Sequence, residues 1–165
     1  MCAMASKQNV EFTTVKIGNQ TWSAQNISIP IKGSVCYENN PENCKTFGPL
    51  YTYAQALDVA KKFPGWRLPT KEDVDTLIAF LGGQDKAGKE LKVGGSSGFN
   101  ALLAGYREAQ NGKYYRINEQ TGFWTSFAEN AKTAWKFYLT IEEDNVNFHP
   151  VYKGYGDSIR LIKLD

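Results

Sequence analysis

Six residues, Gly65-Trp66-Arg67-Leu68-Pro69-Thr70, constrain the fold of this chain more than any other stretch. They stand between two segments whose apolar residues recur at helical spacing. Pro69 fixes its own φ and pushes Leu68 to an extended conformation. Thr70 is a good N-cap, with a hydroxyl able to accept from the backbone N–H of Asp73. Trp66 and Leu68 offer apolar area, while Arg67 seeks a carboxylate or backbone carbonyls. On physical grounds alone the segment is a rigid corner between helices.

The flanking periodicity supports that reading. The spacing predicts a first helix over Thr52–Phe63, opened by a capping box of Thr52 with Gln55 and stopped by Pro64-Gly65. Ala56, Leu57, Ala60 and Phe63 form its apolar face. A second helix is predicted over Thr70–Leu81, with Val74, Leu77, Ile78 and Leu81 at i, i+3, i+4 and i+7 and acids in its first turns. Gly82-Gly83 ends it. Before the helices, Gly18-Asn19 joins two β-rich runs, Glu11–Ile17 and Gln20–Ala24, as a hairpin. Gln25–Lys32 continues as irregular or short-strand chain.

Beyond Gln84 helix signals are sparse. Asp85–Leu91 reads as one short helical turn, Phe99–Arg107 as a strand, and Gly112–Arg116 and Gly122–Ser126 as short aromatic-rich pieces. Gly94–Gly98 is a flexible loop, not a phosphate loop, because no Lys-Ser/Thr follows it. Ala134–Ile141 alternates as a strand, with Trp135, Phe137 and Leu139 on one face and Lys136 and Tyr138 on the other. Glu142–Asn145 is a turn and Asn145–Tyr152 its hairpin partner. Asp157–Leu164 is a closing strand with Ile159, Leu161 and Leu164 as its apolar set. Trp124, Trp135 and Phe137 are expected in the core. The plan is α+β with two helices packed on a mostly antiparallel sheet and a long loop-rich C-terminal half.

At 165 residues the expectation is one domain over residues 10–165 behind a tail of residues 1–9. The net charge is +2 with scattered basic residues, which argues against a nucleic-acid partner. No apolar run is long enough to span a bilayer, and Met1–Gln8 lacks the basic start and apolar segment of a signal peptide. A start trimmed from a longer chain would make that silent about compartment.

Three cysteines are present: Cys2, Cys36 and Cys44. Cys36 and Cys44 flank a turn-rich stretch that suits a short disulfide loop, worth roughly 2.5 kcal/mol in the chain-entropy model, in an exported protein. Two free thiols in a reducing compartment are the alternative. Cys2 is either the lipid-anchor cysteine of a lipoprotein or a cloning remnant. With one His and a distant third Cys, zinc is not expected.

Six landmarks follow one another in order. They are Val15–Trp22 with Asn26, Cys36-Tyr37 through Asn43-Cys44 to Phe47-Gly48-Pro49-Leu50-Tyr51-Thr52, and Gly65–Thr70. Then come Gly98–Leu102 with Ala104–Arg107, Phe123–Ser126, and Ser158–Lys163. The series resembles the Fibrobacter succinogenes major paralogous domain, a family common in secreted and surface proteins of Bacteroidetes and their relatives. That family is similar to the C-type-lectin-like group, with its formylglycine-generating-enzyme-like and retroelement-diversified variable proteins. The resemblance implies a C-type-lectin-like fold with paired N- and C-terminal strands, a loop-rich binding face and a Cys36–Cys44 bridge. One departure is clear: the family often closes with Ser-Val-Arg-Cys, and here Leu161 stands where that Cys would be.

Catalysis finds little support in the residues. Formylglycine-generating relatives use cysteines in the C-terminal part, and this chain has none after Cys44. His149 is the sole His, beside Pro150, and no nucleophile-elbow pattern surrounds any Ser. Glu142-Glu143-Asp144 is explained as a polar turn. Calcium, as in sugar-binding lectins, would need oxygen ligands around a Pro. Asn43 lacks that setting and Asp144-Asn145 lacks a preceding Trp, so no metal or other cofactor is expected.

In diversified variable proteins of this fold the binding surface lies between the Trp-Ser-type motif and the closing Ser-x-Arg strand. Here that segment is residues 127–157. The resemblance makes Phe127, Asn130, Tyr138, Asn147, Phe148, His149, Tyr152 and Tyr155 the candidate ligand-binding residues, Tyr, Asn and His being efficient contact side chains. Packing of the lower half of the domain is the competing role for the aromatics. The expected function is non-enzymatic recognition or adhesion by a monomeric secreted or surface domain, one form of which is a diversified variable protein. Its ligand would be a surface protein or a glycan, and its only membrane contact a lipid anchor at Cys2. The alternatives are a structural module of a surface assembly and a degenerate formylglycine-generating-enzyme-like domain.

Overall fold

The structure, a computed structural model, describes residues 12–164. Cys2, the tail and Glu11 lie outside the described residues. The chain forms a hairpin of β1 (Thr14–Ile17) and β2 (Gln20–Ser23), then a 3-10 turn (Tyr37–Asn39), α1 (Pro41–Phe47), α2 (Tyr53–Ala60), β3 (Trp66–Arg67), α3 (Lys71–Phe80) and α4 (Gln84–Leu91). The C-terminal half holds β4 (Ala104–Arg107), β5 (Tyr114–Ile117), β6 (Gln120–Ala128), β7 (Thr133–Thr140), β8 (Asn147–Tyr152) and β9 (Ile162–Lys163). These elements make an α+β architecture with two sheets, ordered β1-β2-β9-β3 and β5-β4-β6-β7-β8. Every named strand pair is antiparallel except β4 with β6.

Local chemistry explains the elements that the periodicity predicted. Gly18 supplies the positive φ, 60°, that the first position of the β1–β2 loop requires. Both capping boxes are formed: Thr52 with Gln55 opens α2, and Thr70 with Asp73 opens α3. Arg67 finds its carboxylate in Asp73, which ties the corner to the first turn of α3. The small sheet joins the two ends of the chain, Trp22 pairing with Ile162 and Arg67 with the same residue from the other side.

The two principal helices lie on opposite faces of β6. Phe123 clusters with Val74 and Leu77 of α3 and with Phe137 and Leu139, while Trp124 clusters with Tyr53, Ala56 and Val59 of α2. Adjacent residues of a strand point to opposite faces, so one strand serves both halves of the core. The buried face of α2 is therefore Tyr53, Ala56 and Val59, with Leu57 and Ala60 at its margin.

Several expectations are corrected. The stretch between Cys36 and Cys44 is not a plain turn. The bridge is formed, and it closes the 3-10 turn onto α1, which Asn40 caps and Pro41 starts. Asp85–Leu91 belongs to an eight-residue helix rather than a single turn. Of Phe99–Arg107 only the last four residues are strand. Asn100 takes a left-handed φ of 50°, which ends any extended run, and Ala101 makes a lone bridge to Lys92. Leu164 is exposed; Ile159 and Leu161 are buried in the core cluster of α2, and Ile162 is buried in that of α3. Trp135 is only half-buried, lying between Phe127 and Phe148 at ring distances of 6.1 and 4.8 Å.

Candidate functional site

The site begins with a charged pair in the middle of the large sheet. Lys136 of β7 points to the face opposite Phe137, where it is 2 % exposed. Its Nζ donates to Asp157 Oδ1 and Oδ2 at 2.9 and 3.1 Å, and Asp157 is fully buried. Asp157 reaches this position because residues 156–158 run as a seam between elements. Tyr51 and Asp157 exchange backbone hydrogen bonds, Gly156 pairs with Arg107, and Ser158 N donates to Gly122 O. Gly122 is required here for space: a Cβ on it would lie 2.5 Å from Asp157 Oδ1. Burial pushes the Asp157 carboxyl above its usual range, and Lys136 works against that shift.

Aromatic walls stand over the pair. The Lys136 ammonium lies 5.0 Å from the Tyr106 ring and 5.5 Å from the Tyr155 ring, within cation–π reach of both. Across β7 and β8, Lys136 pairs with His149 and Tyr138 with Asn147, and the Tyr138 and His149 rings meet edge to face at 4.7 Å. With Gln120 and Val151 these groups line a pocket of about 220 Å³. Burial raises the phenol pKa of Tyr106, Tyr138 and Tyr155, so all three keep their O–H donors at neutral pH. Burial, and then Lys136, lowers the pKa of His149 and favours the neutral imidazole. The pocket therefore offers aromatic faces, neutral donors and acceptors, and a cation already neutralised by Asp157.

The eight sequence candidates do not form one surface. Tyr138, His149 and Tyr155 line the pocket. Asn147 is on the same face of the sheet, bonded to Glu143 and Asn145 near the end of the hairpin. Phe127 and Phe148 flank Trp135 on the opposite face, and Tyr152, paired with Thr133, also points that way. Asn130 caps the β6–β7 turn by accepting from Lys132 N and Thr133 N. Period-two alternation separates residues that are neighbours in sequence.

Tyr106, Gln120, Lys136 and Asp157 were missed. A signal existed for two of them. Lys136 interrupts an otherwise apolar strand, and Asp157 stands among the small and apolar residues of the closing segment. Among the described residues no group of three or more His, Cys, Asp or Glu side chains is placed to hold a metal ion. No helix among them is long and apolar enough to cross a membrane.

Fold and site together define an α+β domain with a small tyrosine-walled pocket over a buried ion pair. The chain belongs to the Fibrobacter succinogenes major domain family, whose model matches residues 15–163. No curated protein and no solved structure matches it.

Proposed function

We propose that this domain is a non-enzymatic recognition module of a secreted or surface protein, and that its pocket takes one sugar residue of a glycan. The observation that carries the reading is the convergence of Tyr106, Tyr155, Tyr138, His149 and Gln120 over the neutralised Lys136–Asp157 pair. Tyrosine faces stack on the C–H surface of a sugar ring, while amide, imidazole and phenol groups bond its hydroxyls. The pocket volume suits a single ring rather than a chain. A charged ligand fits less well, because Asp157 already compensates the one cation in the pocket.

The C-type-lectin-like assignment is part of the proposal. Its support is the pairing of the terminal strands, the capped helix corner and the Cys36–Cys44 bridge. Within that fold, a diversified variable protein would vary residues 127–157, from which five of the pocket-lining residues come: Lys136, Tyr138, His149, Val151 and Tyr155.

The test is a glycan array probed with wild type, Gln120→Ala, Tyr155→Ala and Tyr152→Ala, in calcium and in chelator. Binding lost in the first two variants, kept in Tyr152→Ala and indifferent to chelator is the expected result. Loss in Tyr152→Ala alone would move the site to the Trp135 face. Failure of the folded wild type to bind any glycan would favour the structural-module reading.

A further inference from the structure

A second cleft, sharing no residue with the tyrosine-walled pocket, lies where α1 faces segment 24–28 and residues 100–102. Arg160 forms part of its lining. This side chain is 1 % exposed, and every acceptor around its guanidinium is a neutral oxygen. Nε donates to Asn26 Oδ1 at 2.7 Å, Nη1 to the carbonyls of Ser23 and Phe99 at 3.2 and 2.6 Å, and Nη2 to that of Asn100 at 3.3 Å. No carboxylate pairs with it among the described residues. Burial alone lowers its pKa, to about 9, which leaves it protonated at neutral pH.

The cleft has two lobes. The Arg160 lobe is about 580 Å³ and includes Asn26, Ser28, Thr46 and Asn100. The second, of about 500 Å³, is largely aliphatic, and the two share Phe47, Val93 and Leu102. Val93 and Ile141 are about three-fifths exposed there, without a covering element among the described residues. None of the residues lining either lobe is acidic; Lys45 is paired with Glu42 at 2.8 Å outside the lining, while Lys89, Lys92 and Arg160 contribute cations with no salt-bridge partner among the described residues. In a chain of net charge +2 with 17 acidic residues, a cleft free of them has a one-signed field that low-dielectric walls concentrate.

From this arrangement we infer that the cleft is a second ligand site, which takes a carboxylate carried on a short aliphatic body. The carboxylate sits in the Arg160 lobe, where it supplies the counter-charge that the protein does not, and the aliphatic part covers Val93, Leu102 and Ile141. Within the Arg160 lobe Lys45 is paired with Glu42, so Arg160 is the one cation there without a carboxylate partner, which suits a monoanion; a phosphate dianion would call for a cluster of cations. A free fatty acid and the C-terminal residue of a peptide share this chemistry.

The probes are octanoate, N-acetyl-leucine and the neutral N-acetyl-leucinamide, titrated into the ¹⁵N-labelled protein. Shifts at Thr46, Val93, Leu102 and the Arg160 Nε–H with either carboxylate, and none with the amide, are expected. Response to octanoate alone assigns the fatty-acid source, and response to N-acetyl-leucine alone the peptide source. Leu102 is a surface position, so Leu102→Asn and Leu102→Asp test charge without touching Arg160. The Asp variant should bind about tenfold more weakly than the Asn variant, through like-charge repulsion. Equal binding of the amide, equal affinity of the Asp and Asn variants, or no response to any carboxylate would overturn the assignment.

Discussion

Lys136 and Arg160 are both buried cations, and the protein accommodates them by different means. Lys136, in the large sheet, has a fully buried carboxylate at 2.9 Å and two tyrosine faces. Arg160, beside the small sheet, has three backbone carbonyls and one side-chain amide, and lies 4.4 Å from the Phe99 ring. The chemistry of the two side chains accounts for the difference. A planar guanidinium with five N–H groups can be solvated by dispersed dipoles, whereas a compact ammonium needs a point counter-charge. The consequence reaches the surface. The pocket above Lys136 is neutral and suits hydroxyl-rich rings, while the cleft at Arg160 stays positive and suits an anion.

The strongest way to break this comparison is to strip Lys136 of its partner. Asp157→Asn leaves a buried ammonium without a counter-charge and should destabilise by about 3–5 kcal/mol. Lys136→Met combined with Asp157→Asn should recover a large part of that loss, read as coupling between the single variants in urea denaturation. Gly122→Ala should act in the same direction by driving a methyl group into Asp157. If Asp157→Asn cost little and the double variant recovered nothing, the pair would not be the organising charge of the sheet.

On the Arg160 side the next effect is the disulfide. Cys44 lines the cleft and its bridge to Cys36 spans eight positions, so replacing both with Ser should cost about 2.5 kcal/mol in the chain-entropy model. The thermal midpoint measures it, and a loss confined to α1 would also weaken carboxylate binding. Asn26→Ala removes the acceptor of the Arg160 Nε–H and the donor to Phe47 O. About 2 kcal/mol is expected for a charge-assisted bond and its neighbour. Asn26→Asp sharpens the contrast more directly, because it gives Arg160 the counter-charge that Lys136 has. Carboxylate binding in the cleft should then fall about tenfold, with glycan binding in the distant pocket unchanged.

The same two residues show what was legible beforehand. The alternation of Ala134–Ile141 placed Lys136 with Tyr138 on one face correctly, yet a lysine in a strand ordinarily reads as a solvated residue. Its burial depends on Asp157, 21 positions on, and on the missing Cβ of Gly122, neither of which leaves a trace in local periodicity. The capped helices and the Gly18 turn were readable because their causes lie within four residues. Helix α1 was hidden inside a stretch of Asn, Pro and Glu that reads equally as turn, although Asn40-Pro41 is an N-cap followed by an N1 proline. The resemblance makes the candidate surface one continuous segment, whereas the strand period divides Phe148 from His149 and adds Tyr106 and Gln120 from other strands.

The smallest effect concerns His149, which lies against the Lys136 side of the comparison. Burial comes first and the Lys136 charge second in lowering its pKa. The unfolded chain therefore binds a proton more readily than the folded one between the two pKa values. The contribution to stability is complete above the unfolded value of roughly 6.5 and is lost as pH falls through the folded value. Wild-type protein should lose more thermal stability between pH 7 and pH 5 than His149→Gln, and glycan binding that uses the neutral imidazole should weaken over the same interval. Since burial is the larger cause, the His149 titration, followed by its ring proton resonances, should stay below the usual imidazole range even when both charges are removed in Lys136→Met combined with Asp157→Asn. A return to the ordinary value in that variant would mean that Asp157 leaves Lys136 incompletely neutralised, and that the pocket has more positive character than its ion pair suggests.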